Sequence, residues 1–103
     1  MWRNDEALAA AARVIVPCAG PYFTVDLRAL FGRDAPLELE IGAGRGDFII
    51  DRAAMMPASN FLAIELAASV AQLMAVRAGR RGLTNLGVLP MDATFHRHVY
   101  ARA

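Results

Sequence analysis

The sequence predicts one small α/β domain, arranged as half of a doubly wound parallel sheet. Three short apolar runs alternate with two segments in which apolar residues recur at helical spacing, giving the order β-α-β-α-β. The first run leads directly into a glycine-rich turn, as in sheets that bind ligands beyond the carboxyl ends of their strands. The chain has 103 residues, 56% of them hydrophobic and 20% charged, which is enough for one core and argues against disorder. Right-handed crossovers would place the strands side by side in the order 3-2-1.

Residues 1–35 are predicted to form a lead-in to that sheet. Residues 7–13 are rich in alanine and leucine, and a polar residue before them can cap a helix. Residues 14–16 are β-branched and indicate a short extended segment. Residues 22–31 could form a strand fragment or a helical turn, because their periodicity does not decide between the two.

Residues 36–93 form the predicted β-α-β-α-β unit. Pro57 stops its first helix, and Gly82 ends its second. Residues 94–103 show no clear pattern and are interpreted as a tail. The five elements of the unit are predicted as a strand at 37–41, a helix at 46–56, a strand at 61–64, a helix at 66–81 and a strand at 86–89.

The junction between the first strand and its helix carries the pattern E-x-G-x-G-x-G. Glycines in such a turn let the bare backbone approach a small ligand closely. The helix that follows adds unpaired N–H groups and a partial positive charge at its N-terminus. The residues of this pattern are Glu40, Gly42, Gly44 and Gly46.

An acidic residue lies at the carboxyl end of each predicted strand, namely Glu40, Glu65 and Asp92. Carboxylates there can hold ribose hydroxyls or an ammonium group, and a third can accept from an adenine amino group. The alternative is that Glu65 and Asp92 only cap the helices that follow, where acidic residues are stabilising. Their joint placement favours a nucleoside-containing ligand.

The glycine spacing favours one nucleotide cofactor over another. Dinucleotide-binding turns follow G-x-G-x-x-G, with a pyrophosphate at the helix terminus and an acid about 20 residues later. Here the glycines are one residue closer together, and Glu40 would repel a pyrophosphate. S-adenosylmethionine carries an ammonium group, a ribose and an adenine but no phosphate, so this site favours it over NAD.

These motifs resemble those of the bacterial tRNA (guanine-N7-)-methyltransferases, which are Rossmann-like class I enzymes that use S-adenosylmethionine. The resemblance covers somewhat over half of the chain. It lies in LEIGAGRGDF at 39–48, NFLAIE at 60–65, and LTNL at 83–86 leading to MDA at 91–93.

The resemblance implies a role for each matching residue. Glu40 and the glycine turn would hold the methionine end of S-adenosylmethionine, and Glu65 would hold the ribose hydroxyls. Asp92 and Ala93 would meet the adenine. The substrate would be a guanine of tRNA, methylated at N7, where positioning matters more than a strong base. No catalytic residue is assigned, because the motifs that the family uses for its substrate have no counterpart in this sequence.

The sequence also departs from the family pattern. Family members are roughly twice as long and continue with a fourth strand, which would pair beside the first, so the fold is expected to be truncated before strand 4. Residues 37–41 would then form an unpaired apolar edge, which promotes self-association. Residues 14–16 could pair there, or a second chain could. Glu38 is unexpected on a strand that should be apolar on both faces.

The remaining features set weaker limits on function. The net charge of +1 neither favours nor excludes nucleic acid, although Arg77, Arg80 and Arg81 could touch tRNA phosphates if they are not simply a solvated helix end. The single Cys18 allows no internal disulfide. No run reaches the roughly 18 apolar residues that a membrane span needs, and we expect a cytoplasmic protein without a metal. His96 and His98 are interpreted as part of the tail rather than as metal ligands.

Overall fold

A computed structural model describes residues 4–16, 23–90 and 99–102 of the chain. Cys18, Asp92, Ala93, His96 and His98 lie outside these residues. The elements are α1 (Asn4–Ala12), β1 (Phe23–Asp26), α2 (Leu27–Phe31), β2 (Leu37–Ile41), α3 (Asp47–Met55), β3 (Asn60–Ile64), α4 (Ala68–Arg80), β4 (Leu86–Leu89) and β5 (Val99–Arg102).

Strands β2, β3 and β4 form a parallel sheet in that spatial order. Leu39 of β2 lies opposite Leu62 of β3, and Ala63 of β3 lies opposite Val88 of β4. This arrangement confirms the predicted α/β fold and the strand order 3-2-1. Helices α3 and α4 are the two crossover connections, as the alternation of apolar runs and helical segments predicted.

The main core lies between the sheet and its two crossover helices. Strands β3 and β4 are buried along their whole length, because each is flanked by a neighbouring strand or segment and covered by helices. The core cluster joins apolar side chains of the sheet to those of both crossover helices and the lead-in segment. Its largest fully buried members are Phe61, Ile49, Ile50, Met74, Val14 and Val88.

The other face of the sheet is covered more thinly. A smaller cluster there packs Val16 and Leu30 against Leu62, Ile64 and Leu89. This cover does not reach the edge strand β2, whose burial alternates between exposed and intermediate. The residues of β2 on the uncovered face are Leu37, Leu39 and Ile41, which are 37%, 52% and 50% exposed.

Among residues 4–16, 23–90 and 99–102, none pairs with the outer side of β2, which is the apolar edge that the sequence predicts. The suggestion that residues 14–16 pair with this edge is wrong. They lie beside β4, at the opposite edge of the sheet: the N–H of Val16 donates to the carbonyl of Val88 at 2.7 Å, and the N–H of Val88 donates to Val14 at 2.9 Å.

Close packing of α1 against α4 accounts for that position. A Cβ atom added to Gly79 would lie 2.6 Å from the carbonyl oxygen of Ala10, so the two helices approach as closely as their backbones allow. Residues 14–16 directly follow α1 and are therefore delivered to the edge nearest α4. The hydrophobic pattern of the segment predicted its extended form but not the edge that it joins.

The sequence of 22–31 allowed either a strand or a helical turn, and residues 23–31 contain both. They form β1 followed by α2, and the Asp26 carboxylate caps this helix by accepting a hydrogen bond from the N–H of Ala29 at 3.1 Å. Strand β1 pairs in parallel with β5, from Phe23 opposite Val99 to Asp26 opposite Arg102. The expectation of a patternless tail is thus wrong for residues 99–102. Within the described residues, none of the helices has the length and apolar character needed to cross a membrane.

Candidate cofactor site

The glycine turn, residues 42–46, joins β2 to α3 and contains three residues in the left-handed backbone conformation. Gly42, Gly44 and Gly46 have φ angles of +73°, +59° and +82°, a region that residues with a Cβ atom rarely adopt. A Cβ atom on Gly42 or Gly44 would meet nothing within 4 Å, whereas one on Gly46 would collide with Met74 and lie 3.0 Å from Ile50. Gly46 is therefore required twice, by its backbone conformation and by the core beneath it.

Backbone hydrogen bonds extend the pairing of β2 and β3 into the turn. The N–H of Gly42 donates to the carbonyl of Ile64 at 2.8 Å, and that of Gly46 donates to Ala43 at 3.0 Å. Helix α3 follows at once, with the N–H of Ile50 donating to the carbonyl of Gly46 at 2.9 Å. The earlier N–H groups of the helix have no intrahelical acceptor, and its N-terminus carries a partial positive charge.

Glu65, at the end of β3, contacts this turn directly. Its Oε1 accepts a hydrogen bond from the N–H of Gly44 at 2.8 Å, and its Oε2 accepts from the N–H of Ala67 at 2.9 Å. Ala67 is the N-cap residue of α4, so Glu65 also supports the start of the following helix. Glu65 can therefore cap the start of α4 and also belong to a ligand site, because it bonds to the backbone before α4 and to the glycine turn after β2. Each carboxylate oxygen keeps a lone pair for a further donor.

Glu40 lies on β2 two residues before the turn, half-buried and on the face covered by α3. Among the described residues, nothing donates a hydrogen bond to its carboxylate or forms an ion pair with it. Partial burial raises the pKa of the Glu40 carboxyl above its usual value, because the charged form loses hydration without gaining a partner. A half-buried carboxylate without a cation is suited to a positively charged ligand group.

Arg77 of α4 is a site residue that the sequence analysis did not single out for this role. Its Nη1 atom donates to the carbonyl oxygen of Arg45, inside the turn, at 2.8 Å and forms an ion pair with Asp47 at 2.8 Å. Arg81, the C-cap residue that directly follows α4, pairs with Asp51 at 2.7 Å.

The spacing of the charged residues could have predicted these pairs. Two acids four residues apart on α3 face two arginines four residues apart at the end of α4, and the two helices are crossovers of one parallel sheet. Arg77 and Arg81 are accordingly engaged within the domain. Neither is the purely solvated helix end that the sequence left as an alternative.

The third acid of the predicted site, Asp92, and its neighbour Ala93 lie outside the described residues. Strand β4, which precedes them, ends at Leu89, whose carbonyl accepts from the N–H of Glu65 at 3.1 Å. Among residues 4–16, 23–90 and 99–102, no three His, Cys, Asp or Glu side chains come together as metal ligands.

A parallel α/β sheet with a glycine turn after one strand and an acid after the next is typical of Rossmann-like domains. Residues 34–102 match a family model described as "Putative methyltransferase". The match covers most of the chain, and the chain belongs to this family.

Relatives named tRNA (guanine-N(7)-)-methyltransferase are similar over the same part of the chain. The relative from Nitrosomonas eutropha is 44% identical over 69 residues, which are 67% of this chain and 31% of that protein. Those from Psychromonas ingrahamii and Yersinia enterocolitica are 44% and 45% identical over 69 residues, again 67% of this chain, and 28% and 29% of their own lengths. The matched part thus corresponds to under a third of each relative.

Proposed function

We propose that this chain carries the S-adenosylmethionine site of a tRNA (guanine-N7-)-methyltransferase. The observation that carries the proposal is the 2.8 Å hydrogen bond between the Gly44 N–H and Glu65. It brings together two groups for which the sequence alone suggested a common ligand. The names of the relatives support the reaction and its tRNA substrate, which are proposals for this chain.

The residues of the site fit the parts of that cofactor. The Glu40 carboxylate, which has no cation beside it among the residues that the structure describes, suits the ammonium group of the methionine end. The N–H groups at the start of α3 suit the carboxylate of that end. Glu65 retains lone pairs for two ribose hydroxyls. We assign the adenine to Asp92 and Ala93 by the resemblance of their motif to that of the family.

The chemistry asks little of these side chains beyond binding and orientation. When bound, S-adenosylmethionine supplies an activated methyl group on a positively charged sulfur. The N7 atom of guanine already carries a lone pair, so the residues of the chain contribute by fixing the methyl donor relative to it. No described residue is assigned as a general base.

Calorimetric titration with S-adenosylhomocysteine tests the binding step. We expect saturable binding to the full chain, because this product analogue retains the ammonium, ribose and adenine groups. Binding should be weakened by Glu65→Ala and left unchanged by Arg28→Gln, which removes an exposed ion pair with Asp34 remote from the turn. A folded sample that does not bind would overturn the proposal.

The substrate is tested separately, with radiolabelled S-adenosylmethionine and tRNA that lacks the modification. Methyl transfer to N7 of guanine would support the full reaction, and it would agree with a cytoplasmic location. Retained binding without transfer to tRNA would favour one of two alternatives: a methyltransferase of another substrate class or a cofactor-binding module without activity.

We further propose that the edge of β2 mediates association with a second copy of the chain. No described strand pairs with its outer backbone groups, which lie next to Leu39 and Ile41, and these two side chains are about half exposed. On the opposite face of the same edge, Phe48 of α3 is 67% exposed. Light scattering tests this proposal, and a sharp monomeric peak with cooperative thermal melting would exclude it.

A further inference from the structure

We propose that Arg77 is a positioning residue that holds the glycine turn in its ligand-binding shape. Arg77 does not itself touch the ligand in this proposal. It acts by fixing a carbonyl inside the turn from the neighbouring helix. The inference rests on the proposed cofactor site. It assigns a role in that site to a residue of α4, which lies outside the glycine motif.

The contacts of Arg77 divide into a backbone part and a side-chain part. The backbone part is the 2.8 Å hydrogen bond from Nη1 to the carbonyl oxygen of Arg45. The side-chain part is the 2.8 Å ion pair with Asp47, whose side chain is 79% exposed, against 37% for Arg77. An ion pair as exposed to solvent as this one contributes little to stability. The hydrogen bond restrains the backbone of the turn itself, because it ends on the carbonyl oxygen of Arg45, whereas the ion pair ends on the exposed side chain of Asp47.

The turn needs such a restraint because its residues are flexible by composition. Three of its five residues are glycines, which gain more conformational freedom than any other residue when released. A side chain on Gly42 or Gly44 would meet open space, so packing does not immobilise this part of the turn. Only the hydrogen bonds to its backbone can do so.

Those hydrogen bonds fix alternate peptide groups. Glu65 holds the N–H of Gly44, and Arg77 holds the carbonyl of Arg45. The peptide group between Gly44 and Arg45 lies between these two fixed points. Its N–H, on Arg45, has no acceptor among the described residues. The two side chains thus clamp the turn from β3 and α4 and leave one restrained backbone donor between them.

Two variants distinguish the effect of the clamp from the effects of losing a positive charge or an ion pair between α3 and the end of α4. Arg77→Gln removes the clamp. Arg81→Gln removes the same charge and an ion pair, with Asp51 at 2.7 Å, without touching the turn. Amide hydrogen exchange of the full chain, measured by NMR without ligand, is the first readout. The affinity for S-adenosylhomocysteine is the second.

We expect exchange at residues 44–47 to be at least about fivefold faster in Arg77→Gln than in Arg81→Gln, with the rest of the sheet unchanged. The ligand should bind about tenfold more weakly, the loss expected for one charged hydrogen bond, about 1.4 kcal/mol. Asp47→Asn, which spares the bond to Arg45, should change the affinity less than about twofold.

Equal exchange at residues 44–47 in Arg77→Gln and Arg81→Gln would overturn the clamp. Should Arg77→Gln fail to fold, Arg77→Met decides, since it keeps much of the apolar stem but has no N–H donor, and exchange equal to that of Arg81→Gln would again overturn the inference. An unsubstituted chain that binds no S-adenosylhomocysteine would refute the proposed function, while the exchange comparison would still decide the role of Arg77.

Discussion

Glu38 on β2 and Arg52 on α3 form a two-pronged ion pair across the groove between strand and helix. Nε of Arg52 lies 2.5 Å from one carboxylate oxygen, and Nη2 lies 2.6 Å from the other. The side chains are 39% and 40% exposed. The pair explains why a charged residue can stand on a strand that the sequence predicts to be apolar on both faces: the helix above it supplies the matching cation.

This pair makes the stability of the domain sensitive to acid. The hydrogen bond from Arg52 holds the pKa of the Glu38 carboxyl below its usual value of 4.5. The ion pair therefore stabilises the fold fully above about pH 4.5, the usual pKa of a glutamate, and this stabilisation is lost as the pH falls through the lowered pKa of Glu38. We expect Glu38→Gln to melt at a lower temperature than the unsubstituted chain at pH 7, with the difference vanishing at strongly acid pH. A difference that persists at pH 2 would contradict this account.

Substitution of two glycines in the same turn should have unequal costs. Gly44→Ala and Gly46→Ala both place a Cβ atom on a residue with positive φ, which costs about 1–2 kcal/mol of folding free energy. At Gly46 the Cβ atom also collides with Met74, which adds about 1–3 kcal/mol. Urea unfolding of both variants tests the difference. Equal losses would mean that Met74 moves away freely.

Gly79→Ala tests the contact between α1 and α4. Alanine is favoured over glycine inside a helix by about 1 kcal/mol, so an isolated helix would gain stability. Here the new Cβ atom would lie 2.6 Å from the carbonyl oxygen of Ala10 and push the helices apart, and overpacking of this kind costs about 1–3 kcal/mol. We expect a net loss, measured by urea unfolding. A more stable variant would show that α1 is loosely attached.

Cofactor binding should depend on pH through Glu40. Burial raises the pKa of this carboxyl, so it is neutralised at a higher pH than an ordinary glutamate. If it holds an ammonium group, the affinity for S-adenosylhomocysteine should fall as the pH is lowered from 7 to 5. Glu40→Gln should bind about tenfold more weakly at pH 7, and its affinity should lack this dependence. Parallel pH profiles for the two proteins would remove Glu40 from the site.

A charge on the edge strand should prevent association of two copies. Leu39→Lys places an ammonium group at the centre of β2, where 52% of the native side chain is exposed. We expect a lower mass by light scattering than for the unsubstituted chain, with unchanged helix content by circular dichroism. Ala9→Lys, at an exposed position on α1 and away from this edge, is the control and should leave the mass unchanged.

The sequence predicted most of the sheet because its signals are local. The strands at 37–41 and 86–89 were predicted with the bounds that the structure has, since each is an apolar run between turn residues. Their order followed from the handedness of crossovers. The sequence also placed the glycine turn and Glu65 at the same edge of the sheet, because parallel strands end there. The hydrogen bond between Gly44 and Glu65 was not predicted.

The features that escaped prediction depend on pairing between distant parts of the chain. The side chain opposite Glu38 is set by the rotation of α3 on the sheet, and the acceptor of Arg77 is set by the offset between α3 and α4. Residues 14–16 had an extended pattern that suited either edge of the sheet. Their position was decided by the contact of Gly79 with Ala10, which a glycine in a helical segment does not reveal.

The pairing of β1 with β5 implies an order of events in folding. Phe23 lies opposite Val99, so this two-stranded sheet joins segments from the two ends of the described chain. The β-α-β units between them close much shorter loops, and the entropy lost in closing a loop grows with its length. The three-stranded sheet is therefore expected to form first, with β1 and β5 meeting only after it has brought their flanking segments together.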